Sequence, residues 1–149
     1  MGWTPAQRRR LVTEKTLLEK YFPGCVTWID PRGDTKVEVA LVTNNNRKYR
    51  LRIYLKSEDS SSSDFPNSVP DMVVSDSPKP MPQWGSNGET HTLGHRDGFS
   101  KICHYRSSCW TDRSTLYEVV MKGRIWIEAY EGHLKTGEKM NYFLGEMGS

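Results

Sequence analysis

The sequence predicts an α+β fold with an N-terminal helix, a four-stranded antiparallel meander, an irregular segment rich in histidine and cysteine, and a long C-terminal helix. Two observations lead to this prediction. Apolar residues recur every three or four positions near both ends of the chain, and they alternate with polar residues between those regions. The 149 residues are the usual size of one compact domain, so we expect a single domain over residues 1–149.

The first helix is predicted over residues 5–21. Thr4 is a suitable N-cap, and Pro5 suits the first helical position because the missing N–H has no partner there. Leu18 and Phe22 lie on one apolar stripe of this helix. The pattern ends at a Pro-Gly pair, which is typical of a helix terminus.

Strands are predicted where apolar residues alternate and turn residues intervene. The three clearest candidates cover residues 26–30, 36–43 and 48–55. A short apolar run, Met72–Val74, follows a turn that contains proline and is predicted to be an edge strand. Together these strands form an antiparallel meander with one buried face.

The C-terminal helix is predicted from the stepping of apolar residues by three and four over Leu116–Leu134. Ser114 or Asp112 is expected to cap its start, and Gly137 lies just past its end. Gly123 inside the helix costs about 1 kcal/mol relative to alanine, so we expect close packing there. No element is predicted after Gly137.

Composition excludes several classes of protein. The net charge is +3, from 21 basic and 18 acidic residues, which is too balanced to indicate nucleic-acid binding. The chain has no apolar run of about 18 residues that would predict a membrane span. The N-terminus has no apolar region typical of a secretion signal, so we expect a cytoplasmic protein. The basic cluster Arg8, Arg9 and Arg10 is typical of a solvated helix face.

Reactive residues concentrate in the segment 91–110. They are His91, His95, Cys103, His104 and Cys109. Structural zinc sites contain closely spaced cysteine pairs, which this segment lacks, so we expect no metal and no other cofactor. Cysteines also occur as small buried hydrophobes, which we expect of Cys25 and of Cys109, beside Trp110. A redox pair of Cys103 and Cys109 is a weaker alternative.

A further interpretation of these residues is a nucleophilic thiol at Cys103. A thiolate attacks carbonyl carbons, and the thioester that forms keeps the acyl group activated for a second transfer. Lys101 and Arg106 provide positive charge near Cys103, which should favour the thiolate. His95 lies eight residues before Cys103. A site of this kind also needs a hydrogen-bond donor for the tetrahedral oxyanion.

The stretch from Gly98 to Cys103 (GFSKIC), followed by Trp110, resembles the active site of ubiquitin-conjugating enzymes, in which Gly-x-Ile-Cys precedes a tryptophan. Three upstream stretches resemble the family's third strand, its Tyr-Pro turn and its fourth strand: residues 49–55, 64–66 and 70–74. Residues 126–137 resemble the conjugating-type proteins of bacterial anti-phage (CBASS) operons, which accompany a cGAS-like nucleotidyltransferase.

The resemblance implies that Cys103 forms the thioester. His95-Arg96-Asp97 stands where the family has His-Pro-Asn, and an ionised Asp97 cannot donate the hydrogen bond that the asparagine gives the oxyanion. Counting back from the cysteine, His95 occupies the position of that asparagine. It is therefore expected to orient the site or to donate to the oxyanion, with His104 as a helper. A hydrogen bond that only holds the loop in place is the alternative for His95.

The resemblance further implies an acyl transfer. Cys103 would accept the C-terminal carboxyl of a partner, expected to be the nucleotidyltransferase, and pass it to an amine such as a lysine of a target protein. The chain has no glycine-rich ATP-binding loop, so a separate activating enzyme or an activated donor is implied. Arg8, Arg9 and Arg10 would form the docking surface. The alternative is a catalytically idle member that acts as a binding module for the nucleotidyltransferase.

Overall fold

The structure is a computed structural model that describes residues 2–58, 63–104 and 107–144. It has a mixed α+β architecture: an N-terminal helix, an antiparallel sheet of six strands and a long C-terminal helix. Arg106, one of the positive neighbours predicted for Cys103, lies outside the described residues.

The elements follow one another along the chain with short connections. They are α1 (Pro5–Tyr21), β1 (Val26–Ile29), β2 (Lys36–Val42), β3 (Lys48–Tyr54), β4 (Asp71–Asp76), β5 (Thr92–Arg96), β6 (Phe99–Ile102), a 3-10 turn (Ser107–Cys109), α2 (Leu116–Thr136) and α3 (Met140–Leu144). The strand order is β1-β2-β3-β4-β6-β5, and each neighbouring pair is antiparallel.

The prediction of four strands and an irregular active segment is wrong. The segment contains the hairpin β5–β6, closed by Asp97 and Gly98 with φ values of 53° and 82°. Two successive residues with positive φ make the tight turn that matches the twist of paired strands. The hairpin joins the sheet beside β4, which is therefore an interior strand, and the edge position predicted for Met72–Val74 is wrong as well.

Local signals determine α1 as predicted. The Thr4 side chain accepts a hydrogen bond from the Gln7 amide at 3.1 Å, and the Gln7 side chain accepts one from the Thr4 amide at 2.8 Å. This reciprocal capping box satisfies two donors that the first turn leaves without helical partners. Pro5 occupies the first helical turn, where its missing N–H costs nothing.

The start of α2 differs from the prediction. Its N-cap is Thr115, not Ser114 or Asp112, because Thr115 and Glu118 form a second capping box. The Ser114 hydroxyl instead accepts a hydrogen bond from the Thr111 amide at 3.2 Å. Gly137 ends α2 in the left-handed conformation, with φ of 79°, as its position predicted. The expectation of no element after Gly137 is wrong, because α3 follows and buries Met140 and Leu144. Within the described residues, no helix combines the length and the apolar character that crossing a bilayer requires.

The core lies between the sheet and α2, where close contact at Gly123 confirms the predicted packing. A Cβ at Gly123 would lie 2.6 Å from Leu51 Cδ1 and 2.8 Å from Met72 Cε. Leu51 and Met72 are fully buried, so neither side chain has free space to move into. Glycine at this position therefore lets the helix backbone approach β3 and β4.

A buried charge joins α1 to the start of α2. Glu14 is only 2% exposed, and one of its carboxylate oxygens accepts the Leu116 amide at 2.8 Å. Its other oxygen accepts the Arg10 Nε–H at 2.8 Å, and the same guanidinium donates to the Ser114 carbonyl at 2.7 Å. A carboxylate at a helix N-terminus is favourable because the first amides are unpaired and carry partial positive charge. Glu14 thus stabilises the N-terminus of α2, the helix that follows the cysteine segment.

Candidate functional site

Cys103 lies at the end of β6, directly after the fully buried Ile102. The residue is half-buried and its thiol is free. The Cys103 amide donates to the His91 carbonyl at 2.8 Å, so the hairpin ladder continues one residue past each strand. The amide of Cys103 is therefore committed to the backbone and cannot also serve an oxyanion.

His91, which faces Cys103 across the hairpin, has a left-handed backbone with φ of 53°. Its ring Nε2 lies 3.0 Å from Asn141 Oδ1 on α3. A carbonyl oxygen only accepts, so Nε2 carries the hydrogen and donates it. In the neutral ring the lone pair then belongs to Nδ1, the ring nitrogen nearer the backbone.

The loop that carries His91 is held in place by several hydrogen bonds. Asn87 and Thr92 exchange two backbone hydrogen bonds of 3.0 Å and 3.2 Å, and the Thr92 hydroxyl donates to the Gly85 carbonyl at 2.6 Å. The Trp126 indole N–H, on α2, donates to the Thr90 carbonyl at 3.0 Å. The position of His91 is thus set from both sides, by its own loop and by the C-terminal helices.

His95, the predicted orienting residue, lies on β5 with an exposed side chain. Its register partner is Ser100, which precedes Cys103 by three residues, or roughly 10 Å of extended chain. The structure therefore brings His91, and not His95, opposite Cys103. The role of His95 as an oxyanion donor stays a prediction.

His104, the predicted helper, is half-buried, and its Nδ1 lies 3.2 Å from the Ile102 carbonyl. The carbonyl can only accept, so Nδ1 carries the hydrogen. Burial away from water lowers the pKa of His104 to about 4, and the charge of Lys122 acts in the same direction; the Ile102 carbonyl and Asp71 oppose the shift. The ring is neutral at pH 7 and does not supply positive charge to a thiolate.

We expect His104 to make stability depend on pH. An imidazole with a lower pKa in the folded protein takes up its proton first in the unfolded chain, so acidification favours unfolding. The loss begins below about pH 6.5, the ordinary histidine value, and is complete near pH 4. Between pH 7.5 and pH 5 this group should lower the free energy of unfolding by about 2 kcal/mol.

Urea unfolding of the wild type and of His104→Gln at both pH values measures this contribution. Carboxylates titrate in the same range in both proteins, so the difference between the two pH dependences isolates His104. Equal pH dependence in the two proteins would show that the imidazole is not kept neutral by burial.

The Asp97 carboxylate is a hydrogen-bond acceptor in the hairpin turn. Its carboxylate accepts the Tyr54 hydroxyl at 2.8 Å, which ties the hairpin turn to the end of β3. Burial, with a contribution from Asp97, raises the pKa of Tyr54 to about 12, so the phenol keeps its proton to donate. Asp97 therefore anchors the hairpin.

The charge around Lys101 is balanced by acidic neighbours. Lys101 Nζ lies 4.0 Å from carboxylates of Asp71 and Glu58. Arg96 pairs with the same Asp71 at 3.0 Å and stacks over the Tyr54 ring at 4.1 Å. These cations are already engaged, which reduces the positive potential that the sequence predicted at Cys103.

The expectation that Cys25 and Cys109 are buried is wrong. Cys25 and Cys109 are exposed, not buried, and all three cysteines are free thiols. Cys25 falls between α1 and β1, where no core surface covers it, and Cys109 ends the 3-10 turn. In the parts of the chain that the structure describes, no three acidic, histidine or cysteine side chains are grouped to hold a metal ion.

The three arginines of the predicted docking surface have different environments. Arg10 is occupied by the contacts between α1 and α2 described above. Arg8 is exposed and donates to the Trp3 carbonyl at 3.0 Å, and Arg9 is exposed. Docking through this face stays a prediction, for which Arg8 and Arg9 are the available charges.

Comparisons of the chain with protein-family models, with curated proteins and with solved structures find no match.

Proposed function

We propose that this protein is a ubiquitin-conjugating-type acyl transferase of bacterial anti-phage defence. In this function Cys103 takes the C-terminal acyl group of a partner protein as a thioester and passes it to an amine. The partner proposed from the sequence resemblance is a cGAS-like nucleotidyltransferase. Membership of the ubiquitin-conjugating family and a cytoplasmic location are parts of what we propose.

One observation carries the proposal: Cys103 is a half-buried free thiol at the end of β6. The hydrogen bond of the Cys103 backbone fixes where the side chain leaves the strand end, which favours attack on an acyl donor. The order of α1, the meander, the cysteine, Trp110 and α2 is consistent with the resemblance.

The chemistry requires two transfers at one sulfur. In the first, the Cys103 thiolate forms a bond to the acyl carbon, and the group that activated the carboxyl leaves. In the second, an amine forms a bond to the same carbon and the C–S bond breaks, which returns the thiol. The thioester keeps enough reactivity for the second step, so no cofactor is required.

The binding module remains the second candidate, and the structure contains an observation in its favour. The Cys103 amide is occupied by His91, and the Asp97 carboxylate accepts from Tyr54. Neither group can donate to an oxyanion in this conformation, and oxyanion donors contribute strongly to acyl transfer. In this second candidate function the protein would bind the nucleotidyltransferase without forming a thioester.

The test is the intact mass of the protein after co-expression with the nucleotidyltransferase of its operon. We expect a covalent adduct in the wild type that excess thiol reagent removes. Cys103→Ala should abolish the adduct completely. Cys109→Ala is the matched control, since it removes an exposed thiol, and it should leave the adduct unchanged.

The outcomes separate the two functions. Absence of an adduct in every variant, with the two proteins still co-purifying, would favour the binding module. An adduct that Cys109→Ala also removes would instead indicate a disulfide-linked chemistry of the two thiols.

A further inference from the structure

We propose that His91, oriented by Asn141, is the base that accepts the proton of the incoming amine when the acyl group leaves Cys103. The inference rests on the proposed acyl transfer and assigns its second step to residues that the sequence motif does not include. His91 would be the catalytic base and Asn141 a positioning residue.

The backbone brings His91 to the reacting sulfur. The hydrogen bond of 2.8 Å from the Cys103 amide to the His91 carbonyl makes the two residues cross-strand neighbours. Cβ atoms of directly opposite residues lie about 4.5–5.5 Å apart in a regular antiparallel pair. The proposed step requires that the His91 ring reaches an amine that attacks a Cys103 thioester, which this pairing allows.

The side-chain partner selects the nitrogen that can act as a base. Asn141 Oδ1 accepts from His91 Nε2 at 3.0 Å, which keeps the hydrogen on Nε2 and the lone pair on Nδ1. Buried Met140 and Leu144 anchor the short helix that presents Asn141. Asn141 thus orients the imidazole, as a third group orients the base in nucleophilic sites.

The His91 backbone is held in a left-handed conformation. Positive φ is uncommon outside glycine and is more frequent for asparagine, aspartate and histidine. Such conformations persist when surrounding contacts hold them, and here Trp126 and Asn141 do so on either side of the residue.

The step balances. The lone pair of the neutral amine forms the C–N bond, and the C–S bond breaks with its electron pair moving to Cys103 Sγ. The surplus proton of the amine moves to His91 Nδ1, which returns it to the thiolate. No oxidant, metal or further reactant is needed.

The test uses the full chain and a chemically loaded acyl group. In a Cys25→Ser/Cys109→Ser background, which removes the two exposed thiols, S-phenyl thioacetate transfers its acetyl group to Cys103, and intact mass then follows its discharge to free lysine. His91→Gly removes the ring and keeps the backbone, because glycine adopts positive φ readily. We expect its discharge to be about 100-fold slower, the usual contribution of general base catalysis.

Two further measurements distinguish a base from a structural role. Added imidazole should restore part of the rate in His91→Gly, because a free base can then take the proton that the missing ring would accept. Asn141→Ala should slow discharge, whereas Asn141→Asp, which keeps an acceptor, should retain most of the rate. His133→Gln is the control, since that ring is bonded to the Glu138 carbonyl just past the C-terminal end of α2.

The inference is overturned if His91→Gly discharges at the wild-type rate, if imidazole gives no rescue, or if S-phenyl thioacetate does not acylate Cys103. Failure of the proposed function is a separate result. It would be seen as loading from the small thioester without any adduct to the nucleotidyltransferase.

Discussion

Glu131→Ala should lower the free energy of unfolding by about 3–5 kcal/mol, the usual cost of removing one partner from a buried polar network. Glu131 is 4% exposed and lies on α2. Its carboxylate accepts the Thr43 hydroxyl at 2.9 Å and the Tyr49 hydroxyl at 2.7 Å, and it pairs with Arg47 at 3.1 Å. Alanine would leave the two buried hydroxyl groups without their acceptor.

The Tyr49 side chain, which donates to Glu131, is also buried away from water. Burial, together with the hydrogen bond to Glu131, raises the pKa of Tyr49, so the phenol stays a donor at every ordinary pH. Asn45 adds a further donor to the same carboxylate at 3.3 Å. The cluster ties the turn between β2 and β3 to α2, which makes it a tertiary contact and not a local one.

Urea unfolding at pH 7 measures the effect, with Glu128→Ala as the matched control. Glu128 lies on the same helix and accepts the Asn44 amide at 3.0 Å, but its side chain is 24% exposed, so its loss should cost less, about 1 kcal/mol. Glu131→Gln keeps the shape with a single acceptor oxygen and should fall between the two. Equal stability of Glu131→Ala and Glu128→Ala would contradict the network.

Trp126→Ala is also expected to cost about 3–5 kcal/mol, the range for deleting a buried aromatic side chain. Trp126 is 2% exposed and stacks on Tyr130 with ring centroids 5.5 Å apart. Its indole N–H donates to the Thr90 carbonyl, so the residue also anchors the loop before His91. The cost combines a large cavity with a carbonyl that loses its donor.

Trp126→Phe separates these two contributions. Phenylalanine fills most of the space but cannot donate, so a loss of about 1–2 kcal/mol is expected. Because Thr90 precedes His91, this variant should also reduce the hydrogen-exchange protection of the Cys103 amide. Unfolding curves and amide exchange measure the two effects, with Ile125→Ala, at an exposed site on α2, as the control. Unchanged protection would show that the indole does not hold the loop.

Hairpin β5–β6 has a local signal in the sequence, although its strands do not show the alternation that predicts a strand. Asp-Gly between two short runs is typical of a two-residue hairpin turn. The flanking strands lack apolar alternation because the hairpin lies at the sheet edge, and its residues include Gly94 and exposed His95. Thr115 and Glu118 are a similar case, since their spacing is that of a capping box.

The sequence by itself determined α1 and its cap, the first three strands and the end of α2 at Gly137. These features depend on residues within a few positions of one another, through caps, spacing and turn chemistry. It also pointed to Cys103 through the motif that ends in this residue.

The tertiary structure alone decided which groups surround Cys103. His91 meets Asn141 from 50 residues away, and Trp126 reaches Thr90 across 36 residues. Such pairs form only when α2 and α3 pack against the sheet, and no local spacing encodes them. The exposure of Cys25 and Cys109 was decided in the same way, because burial depends on what the whole fold places over a residue.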